Sequence, residues 1–339
     1  MKDKRKKIVI SSLLKPVDDV RMYEKFGLNI KSYLNFDVEI IGSNSEIPEN
    51  KNEINFHPLF VQKRFSSTRF FPSLKYYIKL LKVKPDLNIA NTHDLQLVNI
   101  FYKILFGSKL LYDIREDYFN NSLHMGGFDF YKWIIAYWVR SKEIWNSFWI
   151  DGNLLAEKSY NKILFTKNKS VLIENKYMPI VSNSNLIKDN YLLIYSGTIS
   201  FEYGILEAIE IAELYYNKDS RYHLIIIGFC ANKFQLNKLK DKIKYLPFVK
   251  LIGGDHTVPH DHIIDLISKA TIALLPYHVN KAVLECMPSK IYECFTYSTE
   301  IDINNNDLWK DKIFSIFNIT NIKNIYFLAN KFKLLKIIK

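Results

Sequence analysis

Two glutamates, Glu285 and Glu293, stand on either side of Pro288, Ser289 and Lys290, with seven residues between them. A proline and a serine ahead of a helix-period stretch mark a loop entering a helix, and a helix N-terminus favours an anion. On that reading Glu285 lies in the loop and Glu293 about one turn into the helix, so both can accept hydrogen bonds from hydroxyls of one ligand, beside Lys290. The same spacing also fits a capped surface helix with two solvated glutamates. Gly197, between Ser196 and Thr198 at the end of an apolar run, is a second candidate. A residue without a side chain there lets the backbone approach a phosphate, although it equally suits an ordinary turn. In the first half, Asp94 and Glu116 stand near strand ends, where a carboxylate either binds a ligand or caps a helix.

Other chemistries lose their support. No Gly-x-Gly-x-x-Gly follows the first apolar run and no Gly-x-x-x-x-Gly-Lys-Ser/Thr occurs, so neither a tightly held dinucleotide nor P-loop chemistry is expected. The three cysteines, Cys230, Cys286 and Cys294, form no Cys-x-x-Cys pair and are odd in number, which points to a reducing compartment without disulfides or zinc. There is no Asp-x-Asp pair, and Asp302 lacks an evident strand around it, so no metal and no cofactor are expected. The first residues pass from charges straight into Ile8, Val9 and Ile10, which is neither a signal peptide nor a membrane span.

Positioning these residues takes two domains. With 339 residues, 48% hydrophobic and 24% charged, the chain has the size of two folded domains and is too apolar for intrinsic disorder. Short β-branched runs alternate with helix-period stretches, the pattern of parallel sheets with helical crossovers. The spacing predicts strands over 7–11, 37–41, 87–91 and 109–112, then over 191–196, 222–228, 249–252 and 271–275, with helices such as 205–216 and 261–270 between them. Turn residues over 178–190 read as a linker between domains 1–180 and 181–339. The expected fold class is α/β, two doubly wound Rossmann-like domains, with ligands beyond the carboxyl ends of the strands in the cleft between them.

Taken in order, these segments resemble the retaining family-4 glycosyltransferases of GT-B fold, in particular a bacterial polysaccharide subgroup. Asp19, Arg21 and Met22 are similar to an Asp-x-Arg-Ile pattern after the first strand. His93 and Asp94 match a His-Asp pair, and Tyr112, Asp113, Arg115 and Glu116 fall on Tyr-Asp-x-His-Glu. Ser196, Gly197, Thr198 and Gly204, then Gly228, Gly253 and Pro276, then Glu285 to Glu293, fall where that family has its second-domain strand ends. The likeness runs over about 7–298. It implies a sugar moved from a nucleotide donor to a lipid-linked or polysaccharide acceptor with retention, without a metal. By the same resemblance Glu293 would hold the ribose hydroxyls and Glu285 the donor sugar. Gly197 and the amides near Ser289 and Lys290 would hold the diphosphate, and His93, Asp94 and Glu116 would face the acceptor.

The departures carry their own implication. Arg115 stands where the family has a histidine, and a guanidinium cannot serve as a base. Thr198 and Tyr203 stand where two basic side chains usually meet the diphosphate, and the closing C-terminal segment looks shortened. A catalytically impaired binding or assembly subunit with the same fold is therefore the alternative.

The formal charge is +12. Over 61–84 there are seven basic residues, Lys63, Arg64, Arg69, Lys75, Lys79, Lys82 and Lys84, and no acid. Leu74, Ile78 and Leu81 share a helical face beside the lysines, which suits either an anionic membrane surface at the inner face of the cell membrane or a core-packing helix with a solvated lysine face. Over 131–149 lie Trp133, Trp138, Trp145 and Trp149, the last three near one helical face, the spacing of core packing or of an interfacial belt. No nucleic-acid-binding module is recognisable.

Overall fold

In the computed structural model the described residues are 5–34, 36–45, 47, 54–60, 70–124, 131–165, 169–175, 187–278, 289–297 and 299–302. Glu285, Cys286, most of the 178–190 linker, Lys63, Arg64, Arg69 and the C-terminal segment lie outside them. The chain divides into two compact units that meet in sequence at Glu174 and Asn175.

The first unit runs β1 (Lys7–Pro16), a π-helical stretch (Arg21–Gly27) continuing into α1 (Leu28–Leu34), β2 (Asp37–Ser43), β3 (Asn55–Phe60), α2 (Phe70–Val83) and β4 (Leu87–Ala90). It continues with α3 (Gln96–Phe106), β5 (Lys109–Ile114), α4 (Tyr118–His124), α5 (Lys132–Ser147), β6 (Gly152–Leu155) and β7 (Lys169–Leu172). The strands are parallel, in the order β3-β2-β1-β4-β5-β6-β7. A parallel sheet is buried on both faces, so its strands need continuous apolar runs. Ile8 and Ile10 point to Phe26 and Ile30 on one face. Val9 points to Tyr76 and Leu80 of α2 and Tyr102 of α3 on the other.

The second unit runs β8 (Asp189–Thr198), α6 (Ile205–Lys218), β9 (His223–Phe229), α7 (Lys233–Ile243) and β10 (Val249–Gly254), then α8 (His260–Lys269), β11 (Ala270–Leu274), α9 (Ser289–Thr296) and β12 (Glu300–Asp302). Its order is β10-β9-β8-β11-β12, again parallel. Leu193, Tyr195, Leu224 and Ile226 pack on α6 and α7. Leu192, Ile194 and Ile227 pack on Ile267 of α8 and Cys294 of α9. In both sheets the strand order reverses beside the first strand of the unit, and ligand crevices of such sheets open at that switch point.

Three expectations are corrected. Asp302 does end a strand, β12, paired with β11. On α2 the buried side chains are Tyr76, Leu80 and Val83, so the Leu74, Ile78 and Leu81 face is not the core face. Trp138, Trp145 and Trp149 do not pack in the core: all are exposed, because α5 turns Ala136, Val139 and Asn146 inward instead.

Candidate functional site

At the switch point of the second sheet, Gly197, the last residue but one of β8, has φ +96°. That conformation disfavours any side chain, and a Cβ there would fall on the Cε and Nζ atoms of Lys290. Lys290 is the second residue of α9, whose first residue is Ser289. The helix therefore lays an ammonium over bare strand-end backbone. Lys290 Nζ donates to Tyr277 Oη at 3.3 Å, and the Tyr277 ring lies 5.1 Å from that of Tyr203. Gly197 is in register with Gly228, and Gly228 with Gly253, so the carboxyl edge of three neighbouring strands carries no side chains at this level.

The loop after β8 is tied down around this edge. Tyr195 Oη donates to the carbonyls of Thr198 at 3.1 Å and Tyr203 at 3.2 Å. Gly204, with φ +74°, sits so near Pro276 that a Cβ would overlap the Pro276 carbonyl. His278 Nε2 and Glu207 Oε1, 2.8 Å apart, hold the same seam. Thr198 itself is exposed.

One turn further along α9, Glu293 is only 5% exposed, and His260 Nε2, from the first residue of α8, lies 3.5 Å from its Oε1. Glu293 is thus a buried carboxylate, not a solvated surface glutamate. The next residue, Cys294, is buried as well; burial, then the Glu293 charge, pushes its thiol up to about 12.

In the first unit, Arg115, Glu116, His93 and Asp94 gather at the carboxyl edge, after the adjacent strands β4 and β5. Each is already engaged. Arg115 pairs in a fork with Asp19, at 2.8 and 3.1 Å. Burial alone would raise the Asp19 pKa, but the Arg115 guanidinium outweighs it and lowers the carboxyl to about 2. Glu116 meets Lys15 at 3.3 Å and accepts from Asn121 at 3.0 Å; the Lys15 charge holds it below the usual carboxylate range against the opposing effect of burial. His93 Nε2 lies 3.4 Å from Asp94 Oδ1, with its ring edge-to-face against Tyr118 at 4.6 Å. Beneath them the buried Arg21 forks onto Asp113 at 2.8 and 2.6 Å, and Asn91 donates to the same carboxylate at 2.7 Å.

Tyr277 and His260 escaped the sequence reading. Tyr277 follows Pro276 directly after a strand, a position that could have been flagged; nothing in the spacing links His260 to Glu293. Among the described residues no group of three or more His, Cys, Asp or Glu could hold a metal ion.

No protein-family model matches the chain, and no curated protein matches it in sequence. Solved structures do match in fold. Sucrose-phosphate synthase from Thermosynechococcus elongatus is 12% identical, with 88% of this chain and 80% of that chain covered and a TM-score of 0.63. HepE of Anabaena in complex with UDP-glucose is 12% identical, covering 96% and 93%, with a TM-score of 0.57. A structure described as a putative UDP-N-acetylglucosamine 2-epimerase from Listeria monocytogenes is 8% identical, covering 89% and 80%, at 0.52. The chain shares the α/β GT-B fold of these structures, with two Rossmann-like units.

Proposed function

We propose that the chain is a glycosyltransferase that moves a sugar from a nucleotide-sugar donor to a lipid-linked or polysaccharide acceptor, with retention at the anomeric carbon. The observation that carries this reading is the Lys290 ammonium lying over the bare backbone of Gly197, with the buried Glu293 one turn further along the same helix. Backbone without a side chain of its own, beside a point charge, suits a diphosphate. A buried carboxylate further along the same helix suits a pair of hydroxyls, and HepE, of the same fold, is solved with UDP-glucose. When the donor bond breaks, negative charge gathers on the departing diphosphate. Lys290 then binds the transition state more tightly than the ground state, which is what raises the rate. Ser289 and Thr198 add hydroxyl donors to the same anion, and Glu285 completes the donor sugar contacts. No metal or other cofactor is part of this proposal.

The acceptor is met by His93, Asp94 and Glu116 in the first unit. Arg115, held by Asp19, contributes fixed positive charge and not a base. The working place is the cytoplasmic face of the cell membrane, approached through the basic residues of 61–84.

A second reading, a binding or assembly subunit without turnover, is favoured by the locked Arg115 and by Thr198 and Tyr203 in place of basic side chains. The test is release or transfer of labelled sugar from a panel of nucleotide sugars by the wild type and by Glu293→Gln. Turnover by the wild type that Glu293→Gln loses supports the enzyme. Nucleotide binding without turnover supports the subunit, and a folded chain that binds no nucleotide sugar refutes both.

A further inference from the structure

Helices α2, α3 and α5 cover one face of the first sheet and adjoin one another. Tyr77 of α2 lies 5.6 Å from Phe101 of α3 by ring centroid, and Lys103 Nζ of α3 donates to the Trp149 carbonyl just after α5 at 2.9 Å. Helices in this position normally turn polar residues outward. These do not. α3 turns out Leu97, Phe101, Ile104 and Leu105, each 46–56% exposed, at the i, i+4, i+7, i+8 spacing of one face. α5 turns out Ile134, Tyr137, Trp138 and Trp145, and Phe148 follows at its end, all 51–72% exposed. Leu74 and Ile78 of α2 extend the same surface. A monomer seldom exposes so large a contiguous apolar patch without a partner for it.

Charge names the partner. Neither α2 nor α3 contains an acid, and the one acid of α5, Glu143, is largely buried and paired with Arg140 at 3.4 Å. Lys75 and Lys82 are exposed, and the Lys142 ammonium lies 5.3 Å from the centre of the Trp138 ring. A second copy is a poor occupant, because a self-complementary contact would set Lys75, Lys82 and Lys142 against their own kind, and the acids beside this face are already paired, Asp151 with Lys103 at 2.6 Å and Glu143 with Arg140. Exposed indole and phenol rings framed by lysines fit the headgroup boundary of an anionic bilayer.

We propose that this three-helix face seats the chain on an anionic bilayer, the α3 and α5 side chains entering the headgroup region while the α2 lysines supply the attraction. It deepens the membrane part of the proposed function but stands on α3 and α5, outside the basic stretch.

The experiment is flotation of the full chain with phosphatidylcholine vesicles, with and without phosphatidylglycerol, together with tryptophan quenching by brominated lipid. Expected are co-flotation with the anionic vesicles, quenching, and weakening at high salt. The paired changes Phe101→Asn with Leu105→Asn, and Trp138→Asn with Trp145→Asn, lie on the exposed face; each should weaken binding by about tenfold or more. Nucleotide binding should stay as in the wild type, which separates this inference from the donor site. Three results would overturn it: no flotation of a folded chain, flotation indifferent to the α3 and α5 changes, or a concentration-dependent dimer that shields the tryptophans.

Discussion

Lys290→Met keeps the length of the side chain over Gly197 and removes its charge. The lost contact to a bound diphosphate is a charge-assisted hydrogen bond, worth about 1.5–3 kcal/mol, or roughly a 10- to 150-fold weaker affinity. Stability should change little, within about 1 kcal/mol, because among the described residues the Lys290 ammonium makes one hydrogen bond, to Tyr277 at 3.3 Å. Calorimetric titration with a nucleoside and with its diphosphate separates the roles. The diphosphate should weaken by the stated factor while the bare nucleoside binds as to the wild type. Gly197→Ala is the companion: at φ +96° an alanine costs about 1–2 kcal/mol, and its methyl group displaces the ammonium, so stability and diphosphate affinity fall together. Equal diphosphate affinity in Lys290→Met and wild type would refute the reasoning. Equal weakening of nucleoside and diphosphate would refute it too, since that marks a merely structural lysine.

Gly204→Ala should lower stability by about 2–4 kcal/mol, because strain at φ +74° adds to an overlap with the Pro276 carbonyl that no side-chain movement relieves; an unchanged thermal midpoint contradicts the close approach. Asp19, whose carboxyl is lowered from 3.8 to about 2, contributes stability that is full above about pH 4 and is lost as pH falls through 2, on the order of 2 kcal/mol. Asp19→Asn should lose that amount near neutral pH and flatten the acid limb of a denaturation series, whereas an acid limb like that of the wild type would count against the Arg115 pair. Cys294, with its thiol pushed up to about 12 by burial, should resist maleimide in the folded chain and react on unfolding, read by peptide mass spectrometry; rapid labelling of the native chain would deny the burial of that face of α9.

Strands made of continuous apolar residues were legible because burial on both faces leaves them no choice: β1, β2, β8 and β9 lie where 7–11, 37–41, 191–196 and 222–228 were expected, the first three longer by two or more residues and β9 shifted by one. β3 was not, since it is an edge strand that tolerates His57 and Pro58 in its middle. β6 and β7, of four residues each, are too short to leave a period. Helical spacing also misled at α5, where the tryptophans have the stripe of a core face yet point outward. At the candidate site, residues in one segment were readable, as with Ser289, Lys290 and Glu293 on α9. The pairs that cross the sheet were not: Arg115 and Asp19 are 96 residues apart and Arg21 and Asp113 are 92, so only folding discloses them.

A crystal structure of the chain with a bound nucleoside diphosphate tests the central claim most directly. The account predicts the two phosphates against Gly197 and within hydrogen-bond distance of Lys290 Nζ, with the ribose hydroxyls on Glu293. A diphosphate bound away from Gly197, or a ribose that leaves Glu293 facing only His260, would contradict it.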